Sequence, residues 1–178
     1  MGERQTCRIG ISVALLAVSA AVTVPLGPVP LTLQTMVLAL LPIALGWRTA
    51  TCSMALYLLL GAVGLPVFSG FSGGLGHLLG PTGGFLWGFL AGTALGGALC
   101  RASGHSRLGE ALGIVAMLLA SYAAGTMQLA LVMGLSVPAA AAMAVLPFVG
   151  PDALKLVAGV SAGRAVRRAL SGAPQRVR

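Results

Sequence analysis

Two charges interrupt an otherwise uncharged apolar stretch late in the chain. They are Asp152 and Lys155, in Pro147-Phe148-Val149-Gly150-Pro151-Asp152-Ala153-Leu154-Lys155. Residues three apart share one helix face, and Pro151 suits a first helical turn with Gly150 before it. Carboxylate and ammonium would therefore project together from the start of a helix. Each charge placed in a membrane segment costs about 2.5–3.5 kcal/mol on insertion scales, and something must offset that cost. A structural ion pair is one answer; a polar site facing the bundle interior is the other. As a site, the pair has complementary chemistry, because a carboxylate only accepts hydrogen bonds and an ammonium only donates them. A small ligand with N–H donors at one end and a carboxylate at the other would use both.

Two further stretches carry candidate ligand contacts. Pro66 to Gly84 is dense in glycine. Glycine tolerates positive φ and lets backbone approach a ligand closely, so Gly73, Gly74, Thr82, Gly83 and Gly84 are candidates for a wall or lid. A plain flexible connection has the same composition. No phosphate-binding Gly-Lys-Ser or Gly-Lys-Thr occurs, and His77 has no second ligand at metal-binding spacing, which leaves it as a polar loop residue. In Val24-Pro25-Leu26-Gly27-Pro28-Val29-Pro30-Leu31-Thr32 the prolines force an extended or turning path. Thr32 is then a candidate N-cap, with Gln34 and Thr35 in the first turn behind it. Tyr57, Tyr122, Thr93 and Gln128 are isolated polar residues of the kind that make interhelical hydrogen bonds.

The elements that must hold these residues are apolar. Of 178 residues, 57% are hydrophobic and 8% charged, against about 25% charged in soluble domains. The segments Ile9–Val24, Leu31–Trp47, Thr49–Leu65, Gly84–Cys100, Leu108–Met133 and Pro151–Leu170 approach the length needed to span a bilayer. Pro138–Leu146 is too short and reads as an outer or re-entrant helix. With six spans, Arg4, Arg8, Arg48, Arg101, Arg107, Arg164, Arg167 and Arg168 all fall on one face, with Arg176 and Arg178 behind them. That is the positive-inside pattern and puts both termini in the cytoplasm. The expected class is therefore an all-α membrane protein of six transmembrane helices. Residues 1–8 form a cytoplasmic N-terminus, 9–170 the membrane domain and 171–178 a tail, and the glycine-rich outer loop lies between helices 3 and 4. The net charge of +8 is explained by topology and not by nucleic acid. Arg4, Arg8 and the Ala17-Val18-Ser19-Ala20 run also resemble a cleavable leader, which would leave five spans. Gly88, Gly92 and Gly96, like Ala17 and Ala21, have the spacing of close helix contacts in lipid. No nucleophile–base pair, metal cluster or nucleotide motif is visible, so the chain reads as a non-enzyme without cofactor. Active transport would need an energising partner.

The runs Val29-Pro30-Leu31-Thr32-Leu33-Gln34-Thr35, Tyr57 to Phe68 and Leu79-Gly80-Pro81-Thr82-Gly83-Gly84-Phe85, followed by Pro147-Phe148 with Asp152 and Lys155, resemble the BioY family. These are the biotin-specific S components of energy-coupling factor (ECF) transporters. The resemblance runs in order from about Ala14 to about Gly159. It implies an ECF S-component fold in a bacterial cytoplasmic (inner) membrane, with biotin captured near the outer face. It also implies a transmembrane coupling subunit and ATPase subunits as partners, with Ala17 and Ala21 as the coupling contact. Asp152 would accept the ureido N–H groups and Lys155 would meet the valerate carboxylate. Gln34, Thr32 and Tyr57 join the loop residues as further substrate contacts. An S component for another small vitamin, or a solitary biotin facilitator, is the alternative. Two departures stand out. Phe85 occupies a place where a tyrosine is expected, which removes a hydroxyl. Gly150-Pro151 replaces an expected Pro-Gly.

Overall fold

A computed structural model describes residues 2–172. The chain runs as α1 (Glu3–Ala21), β1 (Thr23–Leu26), β2 (Val29–Thr32), α2 (Gln34–Leu45), α3 (Trp47–Ala62), α4 (Leu75–Leu79), α5 (Gly83–Ala102), α6 (Arg107–Met133), α7 (Val137–Ala144) and α8 (Leu146–Gly172), with a short 3-10 turn at Ser69–Phe71. It is mostly helical, as expected, with one addition. The proline-rich connection is a two-stranded antiparallel hairpin in which Thr23 faces Thr32 and Leu26 faces Val29. Gly27 takes φ +84°, which a two-residue hairpin loop needs at its first position. Pro25 and Pro30 are tolerated because a lone pair of strands has only edges.

Glycines decide how the helices pack. Along α5, Gly84, Gly88, Gly92 and Gly96 meet the α6 backbone at Ala124, Ser121, Met117 and Gly113 in turn, so the two helices run antiparallel in close contact. The Trp47 ring wedges between Gly96 and Gly113. On the other side α8 lies parallel to α2, with Gly159 against Met36 and Gly163 against Leu40. A buried core of Leu16, Leu38, Met54, Tyr57 and Met117 joins α1, α2, α3 and α6. Small residues at these contacts are what association in lipid favours, since van der Waals packing must do what hydrophobicity does in water.

Some boundaries moved. Helix α1 begins at Glu3 instead of Ile9. Helix α8 begins at Leu146, with Pro151 inside it and not at its first turn. Its predecessor α7 is the expected short helix, and the two meet at a 45° bend. The residue preceding α2 is Leu33, not Thr32. The Leu33 N–H donates to the Ser19 carbonyl at 3.1 Å, while the Thr32 hydroxyl lies a weak 3.4 Å from the Gln34 N–H. The expected tail after Ser171 lies almost wholly outside the described residues. By length and apolarity, α5 and α6 can cross a membrane, and the bent α7–α8 pair counts as a third crossing if taken as one. Arg48, Arg101 and Arg167 converge with Glu110 at one end of the bundle.

Candidate functional site

At the other end lies a cavity of about 600 Å³, counting its open mouth. Each wall comes from a different element. β2 supplies Val29 to Thr32, α2 supplies Gln34 and Thr35, and α5 supplies Phe85, Leu86 and Phe89. Ser121 and Tyr122 come from α6, Phe148, Asp152 and Lys155 from α8, and the glycine-rich loop contributes Ser69, His77 and Thr82. Helix α2 has only twelve residues, a rise of about 18 Å. The hairpin therefore stands where the top of a full-length helix would be. Non-helical backbone is tolerated at membrane depth only where it is buried in protein or lines a cavity, and β2 does the latter.

The polar floor of the cavity is one network. Asp152 and Lys155 are both buried, at 3% and 9% exposure. Lys155 Nζ donates to Asp152 Oδ1 at 2.7 Å and to the Thr32 carbonyl at 2.8 Å. The Thr35 hydroxyl donates to Asp152 Oδ1 at 2.9 Å, and the Tyr122 hydroxyl donates to Oδ2 at 2.7 Å. A carboxylate offers about four acceptor positions and an ammonium has three protons. Three acceptors and two donors are in use, so one lone pair on Oδ2 and one N–H of Lys155 remain. The free acceptor and donor belong to side chains joined at 2.7 Å.

Asp152 and Lys155, joined at 2.7 Å, can hold neighbouring N–H and C=O groups on one edge of a small molecule.

The sequence candidates divide. Asp152, Lys155, Gln34, Thr32 and Thr82 line the cavity; Tyr57, Gly73, Gly74, Gly83 and Gly84 do not. Tyr57 is fully buried. It donates to the Val67 carbonyl at 2.8 Å and accepts from Gln34 Nε2 at 2.9 Å, so it orients Gln34 from behind. A side chain on Gly73 would strike the Leu65 backbone, on Gly83 the Leu78 backbone, and on Gly84 that of Ala124. Gly74 holds φ +93° at the start of α4 and donates to the Gly61 carbonyl at 2.6 Å. These glycines fold the loop tightly, and the residues between them reach the cavity.

His77 stacks on Phe68 and places Nδ1 3.0 Å from the Ser72 hydroxyl. Burial lowers its pKa below the ordinary value, so the ring is neutral at pH 7. Tyr122, read from sequence only as an interhelical bond, does join α6 to α8 and also lines the cavity. Phe85 and Phe148 supply apolar wall. Ala17 and Ala21 are half-buried on α1, beside an exposed apolar ridge of Ile11, Leu15, Val18 and Val22.

An apolar helical bundle with a polar-floored cavity belongs to the class of membrane proteins with a site for a small molecule. Within that class the chain belongs to the BioY family, which it matches over residues 1–172. It is 37% identical over 160 residues to a probable biotin transporter BioY of Pyrococcus horikoshii, covering 90% of this chain and 94% of that one. With biotin transporter BioY2 of Lactococcus lactis subsp. cremoris it shares 35% over 164 residues, 92% of this chain and 90% of that one. A Thermotoga maritima biotin transporter BioY is 49% identical over 96 residues, 54% of this chain and 57% of its own. Its fold is that of a crystal structure of the S-component for biotin from an ECF-type ABC transporter. The TM-score is 0.83 and the identity 24%, and the match covers 94% of this chain and 95% of that one.

Proposed function

We propose that this chain captures biotin as the S component of an ECF importer and hands it on unchanged, with ATP hydrolysis left to partner subunits. The observation that carries this reading is the paired free acceptor and donor of Asp152 and Lys155, buried at the floor of a cavity with apolar walls. A ureido group presents N–H and C=O on one edge. Its N–H donates to Asp152 Oδ2 and its carbonyl accepts from Lys155 Nζ. The thiophane ring and alkyl chain lie against Phe85, Leu86, Phe89 and Phe148, as small-molecule sites combine apolar walls with a few orienting polar groups. The valerate carboxylate then points towards the mouth, where Ser69 and Thr82 carry hydroxyl donors and His77 a ring nitrogen.

In this reading the chain crosses the membrane six times, α1, α2, α3, α5, α6 and the α7–α8 pair each making one passage. The arginine-rich end faces the cytoplasm, and the cavity opens near the outer surface of a bacterial inner membrane. The antiparallel α5–α6 pair and the parallel α2–α8 pair agree with that layout. The α1 ridge beside Ala17 and Ala21 is the surface offered to a transmembrane coupling subunit. The test is binding of labelled biotin to the purified protein in detergent, with excess thiamine, riboflavin or unlabelled biotin as competitor. Displacement by biotin alone supports the reading. Displacement by another vitamin replaces biotin as the substrate, and absence of saturable binding removes the capture role.

A further inference from the structure

A ligand carboxylate brings a negative charge to the cavity mouth, and this chain has little fixed charge to meet it. No Asp, Glu, Lys or Arg occurs in residues 9–47, 49–100 or 111–151. The titratable side chains lining the cavity are His77, Tyr122, Asp152 and Lys155. Asp152 and Lys155 neutralise each other at 2.7 Å, and the Tyr122 hydroxyl is committed to Asp152. Among the described residues lining the cavity, that leaves His77 to supply a positive charge at the mouth.

Hydrogen bonds hold the His77 ring in one tautomer. The Ser72 hydroxyl has a single proton and donates it to the Ser69 carbonyl at 2.7 Å. The same oxygen lies 3.0 Å from His77 Nδ1 and so accepts there, which puts the ring proton on Nδ1. Nε2 keeps its lone pair, 3.4 Å from the Thr82 hydroxyl, and His77 and Thr82 both line the cavity. Behind the ring stands Phe68, stacked at 5.1 Å between centroids and set edge-on to Tyr57 at 5.4 Å. An aromatic face attracts a cation, so this backing suits an imidazolium. The other groups packed around the ring are uncharged: Ser72, Thr82, and Tyr57 behind Phe68 with its hydroxyl donated to the Val67 carbonyl. Burial keeps the ring neutral without ligand, and a neutral ring turns its Nε2 lone pair towards Thr82, where a carboxylate needs a donor.

We propose that His77 grips the ligand carboxylate by taking up a proton at Nε2, so that ligand and proton bind together; this rests on the biotin reading above. The proton comes from solvent and adds to the Nε2 lone pair, while Nδ1 keeps its bond to Ser72. The Thr82 hydroxyl, released from Nε2, turns to the carboxylate as a second donor. A hydrogen bond between ionised partners is about twice as strong as a neutral one, and the carboxylate in turn favours the charged ring. The bound ring holds a proton that the free ring lacks. Affinity therefore rises as pH falls and levels off once the free ring is itself protonated. The site reads the charge of the carboxylate and discriminates against its esters and amides.

The test is calorimetric titration of the full chain in detergent with biotin and with biotin methyl ester, in phosphate and in Tris. These buffers differ in ionisation enthalpy, so the two heats give the protons taken up per ligand. At about pH 7 the parent should take up about one proton with biotin and none with the ester. Its biotin affinity should rise by up to about tenfold per pH unit between about pH 8 and about pH 6.5, the limit for one linked proton. The ligand carboxyl stays ionised across that range. His77→Gln keeps a donor that does not titrate, so its proton uptake should vanish and its biotin affinity should be flat with pH. Absence of proton uptake by the parent, equal uptake with acid and ester, or uptake that persists in His77→Gln overturns the proposal. The acid–ester comparison on the parent decides the matter even if the variant fails to fold. Biotin binding without proton uptake rejects the role of His77 alone, and absence of biotin binding at every pH rejects the capture role with it.

Discussion

Lys155→Met should weaken biotin and biotin methyl ester by the same factor. Lys155 Nζ already spends two protons on Asp152 Oδ1 and the Thr32 carbonyl, and one proton remains. In the arrangement proposed above, the ligand group that meets it adjoins the group that meets Asp152 and is the ureido carbonyl, not the valerate carboxylate. A hydrogen bond to a charged group contributes about 1.5–3 kcal/mol, so the substitution should cost about 10- to 150-fold in affinity for either ligand. Methionine also leaves the Asp152 charge with only Thr35 and Tyr122 as donors. That penalty is common to both ligands and cancels in the cycle. The assay is calorimetric titration of parent and variant with each ligand. The coupling between side chain and ester should fall within the roughly 0.3–0.5 kcal/mol seen for independent changes. A coupling of about 1.5 kcal/mol or more, with the ester insensitive to the substitution, would show Lys155 gripping the valerate carboxylate and refute the ureido assignment.

Three other perturbations follow from the same contacts. Tyr122→Phe keeps the ring but removes the donor to Asp152 Oδ2, so thermal unfolding without ligand should show a loss of about 1.5–3 kcal/mol. Biotin affinity should suffer less than in Asp152→Asn, because the acceptor oxygen survives. Gly92→Ala places a Cβ 2.7 Å from the Met117 backbone. Helices α5 and α6 must then separate, and unfolding in detergent should register about 1–3 kcal/mol of overpacking. His77 has a folded pKa below the ordinary 6.5, so the unfolded chain takes up its proton first as pH falls. Stability from this residue is complete above that value and declines as pH drops from about 7 to 5.5. A thermal midpoint followed over that range should fall in the parent and fall less in His77→Gln.

What the sequence revealed, and what it concealed, divides along physical lines. Asp152 and Lys155 were legible because isolated charges in an apolar run demand a partner, and their three-residue spacing made each other the obvious one. The glycine stripe on α5 was legible because a four-residue period of small side chains has few uses other than close helix packing. The cavity-lining residues of the loop were legible only in part, since Thr82 was a candidate and lines the cavity. Glycine density marked the segment, but Gly73, Gly74, Gly83 and Gly84 serve its tight folding, while Ser69 and His77 reach the cavity. Their reach depends on where the 3-10 turn and α4 set them down, which no local pattern encodes. The start of α8 was misread for a related reason. Pro151 looks like a first-turn proline, yet the helix begins at Leu146 and carries it within. Thr32 looked like a cap for α2, but the strand pairing with Thr23 draws it into the hairpin and gives its carbonyl to Lys155.

The most direct test of biotin capture at this floor is calorimetric titration of the purified, folded protein with biotin, beside Asp152→Asn. One saturable site per chain, weakened about 10- to 150-fold by the substitution, is the expected result. A folded parent that releases no heat and binds no biotin, or a variant that binds as tightly as the parent, would contradict it.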